Sequence, residues 1–322
     1  RRRVYAGALG LALPSMMPAA SSGVVIPVVV AEPNERGGRN VQVVEPMIGG
    51  TGARNGHDGV DGRDSGISNL ANNPVETVEA ELGIEILHYA IRPDSGGAGR
   101  WRGGCGLELT FRILTNGCNV LGRGMERLLF RPWGCNGGKA GAPGSLMINQ
   151  GRDSERRLGK IDVLEVQAGD TVTFQTAGAG GWGDPFERTP EAVLSDVLNG
   201  FVTTDAARRD YGVVIVGQTV DRYETNALRA RERMPDANFD FGPEREAWDE
   251  VFGGQHMDDL NSELLLRPLA SRQKLRGDVF RQAMAHLPDN FPRQRASQDR
   301  IEAVRHVLEH VFLNNGELIG EP

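Results

Sequence analysis

Cysteine is scarce: Cys105, Cys118 and Cys135 are the three among 322 residues, and no CxxC pair occurs. An odd number without that spacing argues against a disulfide framework or a four-thiolate zinc site. The thiols read as small buried or half-buried groups in a reducing cytoplasm. Positive charge is not in excess either, with 36 Lys and Arg against 43 Asp and Glu and a net charge of −7. A nucleic-acid partner would call for a basic face, so none is expected. No apolar run reaches the roughly 18 residues of a membrane span. Glycine, by contrast, is abundant at 43 residues, in clusters rather than a repeat. Such clusters mark many loops with special backbone geometry. The length allows one large domain or two ordinary ones, with a sizeable core.

An initiator Met is also missing. Arg1, Arg2 and Arg3 precede an apolar stretch over residues 4–13, and Pro18-Ala19-Ala20-Ser21-Ser22-Gly23 follows. Two readings fit that order: a secretory signal, or a helix ended by Pro14.

Up to about residue 216 short apolar or alternating runs are separated by Gly, Pro, Asn and Asp, the pattern of strands and loops. Leu107, Leu109, Phe111 and Ile113 alternate with polar residues, predicting a strand with one core face and one wet face. Residues 170–177 read likewise, with Val172 and Phe174 inward and Thr171, Thr173 and Gln175 outward. Residues 24–30 are continuously apolar, and Pro27 predicts an edge strand or a bulge there. Residues 84–91 are a further strand. Thr189-Pro190-Glu191 predicts a capped helix closed by Gly200, and a short helix is expected over 205–210. Beyond 216 the periodicity turns helical, over 221–234, 244–252, 257–266, 270–286 and 297–313, with Ile301, Val304, Leu308 and Val311 on one face of the last. The expectation is an α+β fold: a β-rich mixed domain with Gly-rich loops over residues 1–215, then a helical C-terminal region over 216–322.

Several short motifs invite chemistry. Gly178-Ala179-Gly180-Gly181-Trp182-Gly183 fits GxGxxG, but a dinucleotide site needs a helix beginning inside the glycines, and here one starts only near Pro190. Gly137-Gly138-Lys139-Ala140 lacks the leading glycine and the Ser or Thr of a phosphate loop. His306-Val307-Leu308-Glu309-His310 matches HxxEH, yet a five-residue match on a charged helix is cheap and a third zinc ligand is not evident. Arg100 and Arg102 among the glycines of 92–104 read as an anion site or, more simply, as a tight structural turn. The densest polar cluster runs from Gly49 to Asp64 and on to Asn69, Asn72, Asn73 and Glu76. Glycines there bring amides close to an anion or carbonyl, and the aspartates supply charge. The structural alternative is a loop whose Asp and Asn groups satisfy its own backbone.

Taken together these stretches resemble the hydantoinase B/oxoprolinase family. The resemblance rests on Pro18 to Gly23, residues 49–54, Asp58-Gly59-Val60-Asp61-Gly62, Asn72-Asn73-Pro74-Val75-Glu76, residues 92–104, 137–144 and 178–185, and Asp205 through Val214, in this order. It reaches into the N-terminal segment and favours the helix there. It implies a cytoplasmic component of an ATP-dependent enzyme, working with a hydantoinase A-type ATPase subunit that binds ATP. In that scheme ATP phosphorylates a ring carbonyl oxygen and water opens the ring of a small cyclic amide. The N-terminal half of the family domain is then a second partner, and a divalent metal would be held by residues of that half, outside this chain. On this reading Asp58, Asp61 and Asp64 are the catalytic candidates, orienting water or polar substrate groups. Gly50, Thr51, Gly52, Arg54, Asn69 and Asn72 are the substrate-binding candidates, with Arg54 neutralising a carboxylate or phosphorylated group. A His-rich stretch that many amidohydrolase-type members carry before the Asn-x-Pro-Val-Glu motif is absent; the positions read Asp64-Ser65-Gly66-Ile67-Ser68-Asn69. That leaves two alternatives open: an ATP-dependent ketone carboxylase component, or a non-catalytic scaffold that docks the ATPase subunit.

Overall fold

A computed structural model of the chain describes residues 9, 12, 13, 15–23, 25–63, 70–230 and 238–310. Most of the helix expected over 4–13 lies outside them, as do Asp64 and Asn69. The chain divides into two compact units, Arg1–Phe241 and Gly242–Pro322.

The first unit begins with β1 (Val25–Pro33) and β2 (Arg39–Ile48). Helix α1 (Val75–Glu81) leads to β3 (Ile84–Ile91), β4 (Leu107–Ile113) and β5 (Cys118–Gly122). Then come β6 (Gly134–Cys135), β7 (Ser145–Ile148), β8 (Arg156–Leu158), β9 (Leu164–Val166) and β10 (Thr171–Gln175). Two antiparallel sheets result, ordered β2-β1-β5-β9 and β3-β4-β10-β7-β8. One hydrophobic core joins them, with Val28, Val30 and Val120 from the first and Leu109, Phe111, Leu146 and Phe174 from the second. Each such side chain stabilises the fold by about 1.5–3 kcal/mol on burial. The alternation expected in β4 is present, since Leu107, Leu109, Phe111 and Ile113 are all buried.

Two details refine the sequence reading. Of the edge or bulge expected at Pro27 the bulge is found, at Val28/Val29, while β1 is a central strand; Pro27 pairs with Pro46 of β2 just outside the ladder to β5. A proline is tolerated there because no neighbour requires its missing N–H. In β10 the polar face is buried too: Thr173 shares a hydroxyl–hydroxyl bond of 2.9 Å with Thr110, and Asn149 Oδ1 accepts from the Thr171 amide.

After β10 the unit adds α2 (Pro190–Leu198), α3 (Thr204–Tyr211), the hairpin of β11 (Ile215–Val216) and β12 (Thr219–Val220), α4 (Arg222–Arg229) and β13 (Phe239–Asp240), which pairs with β6. Thr189 caps α2 through its hydroxyl, which accepts from Ala192 N. The second unit holds α5 (Pro243–Phe252), α6 (Gln255–Leu266), α7 (Leu269–Ala285) and α8 (Gln298–His310). Its core is aromatic, with Trp248 4.5 Å from Phe252 and 6.4 Å from Phe280 between ring centroids. Ile301, Val304 and Leu308 of α8 turn into that core as their spacing predicts. No helix among the described residues is long and apolar enough to cross a membrane.

Candidate functional site

The glycine clusters meet in one layer of backbone. Residues 19–23, 49–62, 95–106, 133–144 and 177–183 are cross-linked by main-chain hydrogen bonds: Ala19 N to Ala53 O (2.8 Å), Ser22 N to Gly50 O (2.9 Å), Gly104 N to Thr51 O (3.0 Å), Ala179 N to Gly104 O (2.9 Å), Gly97 N to Ala179 O (2.7 Å) and Gly181 N to Lys139 O (2.9 Å). Side chains have no room between these strands of loop. A Cβ on Gly50 would overlap the Gly104 carbonyl, and one on Gly103 would overlap that of Ala179. Close approach of backbone to backbone therefore accounts for much of the glycine.

The loop singled out in the sequence runs through this layer. Thr51 donates its amide to Val60 O, and its hydroxyl accepts from Val60 N at 2.7 Å. Gly52 N donates to Ser21 Oγ at 3.0 Å. The amides of Thr51 and Gly52 are thus engaged by protein oxygens. Arg54 and His57 exchange both main-chain hydrogen bonds (3.1 and 3.0 Å) around a tight turn in which Gly56 has φ 84°. That turn projects Arg54 outward, exposed, with no side-chain hydrogen bond or ion pair to a described residue. Asn72 is exposed as well. Its neighbour Asn73 does the anchoring: the amide donates to Glu45 Oε2 (3.1 Å) and the side chain to Val43 O (2.8 Å).

Asp58 and Asp61 belong to an ionic chain that spans three segments and is built on two buried arginines, with Asp58 itself at the surface. Asp58 accepts from Arg188 Nη1 and Nη2 at 2.7 and 2.8 Å, and from the amide of Arg102 at 2.7 Å. Asp61 accepts from Arg102 Nη1 and Nη2 at 2.7 and 3.1 Å, and from the amide of Cys105 at 2.7 Å. Asp196 joins the two arginines, 3.0 Å from Arg188 Nε and 3.5 Å from Arg102 Nε. The guanidiniums are nearly inaccessible, Arg102 at 3% and Arg188 at 5% exposure. Burial pushes the Asp196 carboxyl above the usual range, against the pull of Arg188 and Arg102. Arg102 also lies over the Phe201 ring at 4.8 Å. The sequence offered neither Arg188 nor Asp196 as site residues. One signal was there: Asp196 occupies the same inward face of α2 as Val193, and an acid at an apolar position implies a buried cation.

The segment between β3 and β4 is no tight turn; residues 92–106 thread the layer and bring Arg102 to both aspartates. At the stretch that hints at a phosphate loop the amides face inward: Gly138 N donates to Cys135 O, Lys139 N to Ala98 O and Ala140 N to Asp240 Oδ2. These residues do not fit a nucleotide phosphate cradle. Glu309 of the HxxEH stretch lies 3.3 Å from His256 Nδ1, and the side chain of His310 is outside the described part. Among the described residues no group of three His, Cys, Asp or Glu side chains is gathered for a metal ion.

The chain belongs to the hydantoinase B/oxoprolinase family, whose sequence pattern matches residues 2–185. Among relatives, it is 36% identical over 199 residues to the caprolactamase subunit beta of Pseudomonas jessenii, covering 58% of this chain and 33% of that protein. The crystal structure of the ATP-dependent caprolactamase from the same organism superposes with a TM-score of 0.60 at 28% identity, over 70% of this chain and 40% of that one. An acetone carboxylase structure aligns over 89% of this chain and 42% of its own, with a TM-score of 0.54 at 19% identity, a likeness of fold. The chain spans about a third of the length of the curated relatives it matches.

Proposed function

We propose that this chain is one part of an ATP-dependent enzyme that hydrolyses small cyclic amides, and that its glycine layer presents the 49–63 loop to the substrate. The observation that carries this reading is the 36% identity to a caprolactamase subunit beta, supported by the fold shared with the caprolactamase structure. ATP belongs to an A-type ATPase partner subunit, and a divalent metal to residues outside this chain. In this chain Arg54 is the substrate-facing cation, free to meet a carboxylate or phosphorylated group. Asp58 and Asp61 act by position. Their oxygens are engaged by Arg188, Arg102 and two amides, so they hold the loop in one geometry while water or substrate is oriented at its tip.

The test is substrate-dependent ATP consumption by the native complex that contains this chain. One panel holds 5-oxoproline, hydantoins and lactams; the other holds small ketones with bicarbonate. Stimulation by cyclic amides alone is expected. Stimulation that requires ketone and bicarbonate together would replace the hydrolase reading with a carboxylase one. A complex that assembles yet consumes ATP equally with every loop variant would assign this chain to scaffolding.

A further inference from the structure

β1 carries a continuous apolar run, Val25-Ile26-Pro27-Val28-Val29-Val30-Ala31, at the interior of its sheet. An antiparallel sheet can leave one face to water, but an unbroken apolar run rather than an alternating one reads as a strand buried on both faces. Here the inner face is fully buried, with Ile26 at 3% and Val28 and Val30 at 0% exposure. On the outer face the described residues leave the larger side chains without such cover, although the small Ala31 is 6% exposed. The register aligns Val43 of β2, Val29 of β1 and Leu121 of β5 in one row across the sheet. A second row joins Val41, Ala31 and Asn119, and Pro46 faces Pro27 on the other side. Val41 is 60% and Val43 42% exposed, while Val29 and Leu121 stay half-buried away from the core. The bulge at Val28/Val29 turns Val43 to this outer face and Glu45 inward.

From this we infer that the outer face of the β2-β1-β5-β9 sheet is an interface, and that its occupant is the portion of the family polypeptide this chain does not match. Two observations select that occupant. The centre of the face is apolar, and its polar groups, Asn119 with Glu165 opposite it and Arg39 beside Pro33, lie toward the margins; an apolar centre with a polar rim suits a permanent interface rather than a transient contact. The solved caprolactamase chain also has more than half its length beyond the matched part, since the match covers 40% of it. The apolar rows therefore call for an apolar layer of helices or strands packed flat on the sheet at roughly 10 Å. The inference rests on the reading that this chain works within a larger family assembly.

A photo-crosslinking residue placed at Val43 in the native complex tests it, with the same residue at Val216, exposed on β11, as the control. Irradiation at position 43 is expected to join this chain to peptides of a family polypeptide from outside the matched region, and position 216 is not. Thermal unfolding of each labelled chain shows that the fold is kept. Cross-links from position 43 to a second copy of this chain, or none at all, would overturn the assignment. Because the cross-link needs no turnover, its absence in a complex that still hydrolyses cyclic amides would remove the docking surface and leave the proposed function standing. The variant Val43→Glu should in addition lose co-purification of that polypeptide, whereas Val216→Glu retains it.

Discussion

Asp58 accepts both terminal nitrogens of Arg188, at 2.7 and 2.8 Å, across a separation of 130 positions in the chain. The pair ties a surface loop to the residue that precedes the Thr189 cap of α2, and so fixes the loop on a rigid element. Arg188→Ala should cost about 1–3 kcal/mol, because buried Asp196 keeps only Arg102 as a cation and the part-exposed Asp58 keeps only the Arg102 amide and solvent. Arg188→Lys keeps the charge and loses the fork, so it should recover only part of that loss. Urea unfolding measures both; an Arg188→Ala midpoint equal to the parent's would show that the clamp contributes nothing.

The glycine layer predicts a contrast between two formally identical substitutions. Gly50→Ala forces a methyl into the Gly104 carbonyl and should destabilise by about 1–3 kcal/mol or more. Gly159→Ala meets nothing within 4 Å, so it should be neutral or slightly stabilising. Equal melting temperatures for the two would contradict the packing described.

Glu45 gives a pH dependence. Burial pushes its carboxyl up from 4.5, against hydrogen bonds from Tyr89 and the Asn73 amide. The folded chain thus holds this proton more tightly than the unfolded chain. The resulting stability is complete below the unfolded pKa and is lost as pH rises through the folded one. Melting curves of the parent should therefore fall, relative to Glu45→Gln, as pH rises from about 4 upward. A parent–variant difference that is flat over that range would refute the assignment.

Arg54 separates activity from stability. Its side chain is exposed, so Arg54→Ala should change unfolding free energy by less than about 0.5 kcal/mol. If it meets an anionic group, kcat/KM should fall about 10–100-fold, the worth of a charged hydrogen bond. Unchanged kinetics in the native complex would take Arg54 out of the site.

Local pattern was readable where one face decides the structure. The period-two alternation of β4 and the inward row Ile301, Val304, Leu308 of α8 each follow from burial of one side. The same logic failed at β10, because Thr171 and Thr173 are buried through pairings with Asn149 and Thr110 that no local period encodes. Pro27 was half readable: the bulge it predicts lies at Val28/Val29, but composition could not show that β1 is central and that the β5 ladder stops one residue short of the proline.

The candidate loop was visible as a cluster of glycine and aspartate, but its partners were not. Arg102 and Arg188 reach Asp61 and Asp58 across separations of 41 and 130 positions. Nothing in spacing marks those pairs. Glu45 went unread likewise, since its partners Tyr89 and Asn73 lie on other elements.

The backbone layer also bears on how the chain reaches its native state. Its hydrogen bonds join Ala20 to Gly180 and Ala53 to Gly180, so the layer stays open until residues spanning most of the first unit have met. Contacts of such long sequence separation pay loop-closure entropy before they return any stability, which makes folding slow and cooperative. A nascent chain that has not yet supplied residues 177–183 holds its earlier glycine loops unpaired, hydrated and without fixed structure. That interval is when the chain would depend most on a chaperone.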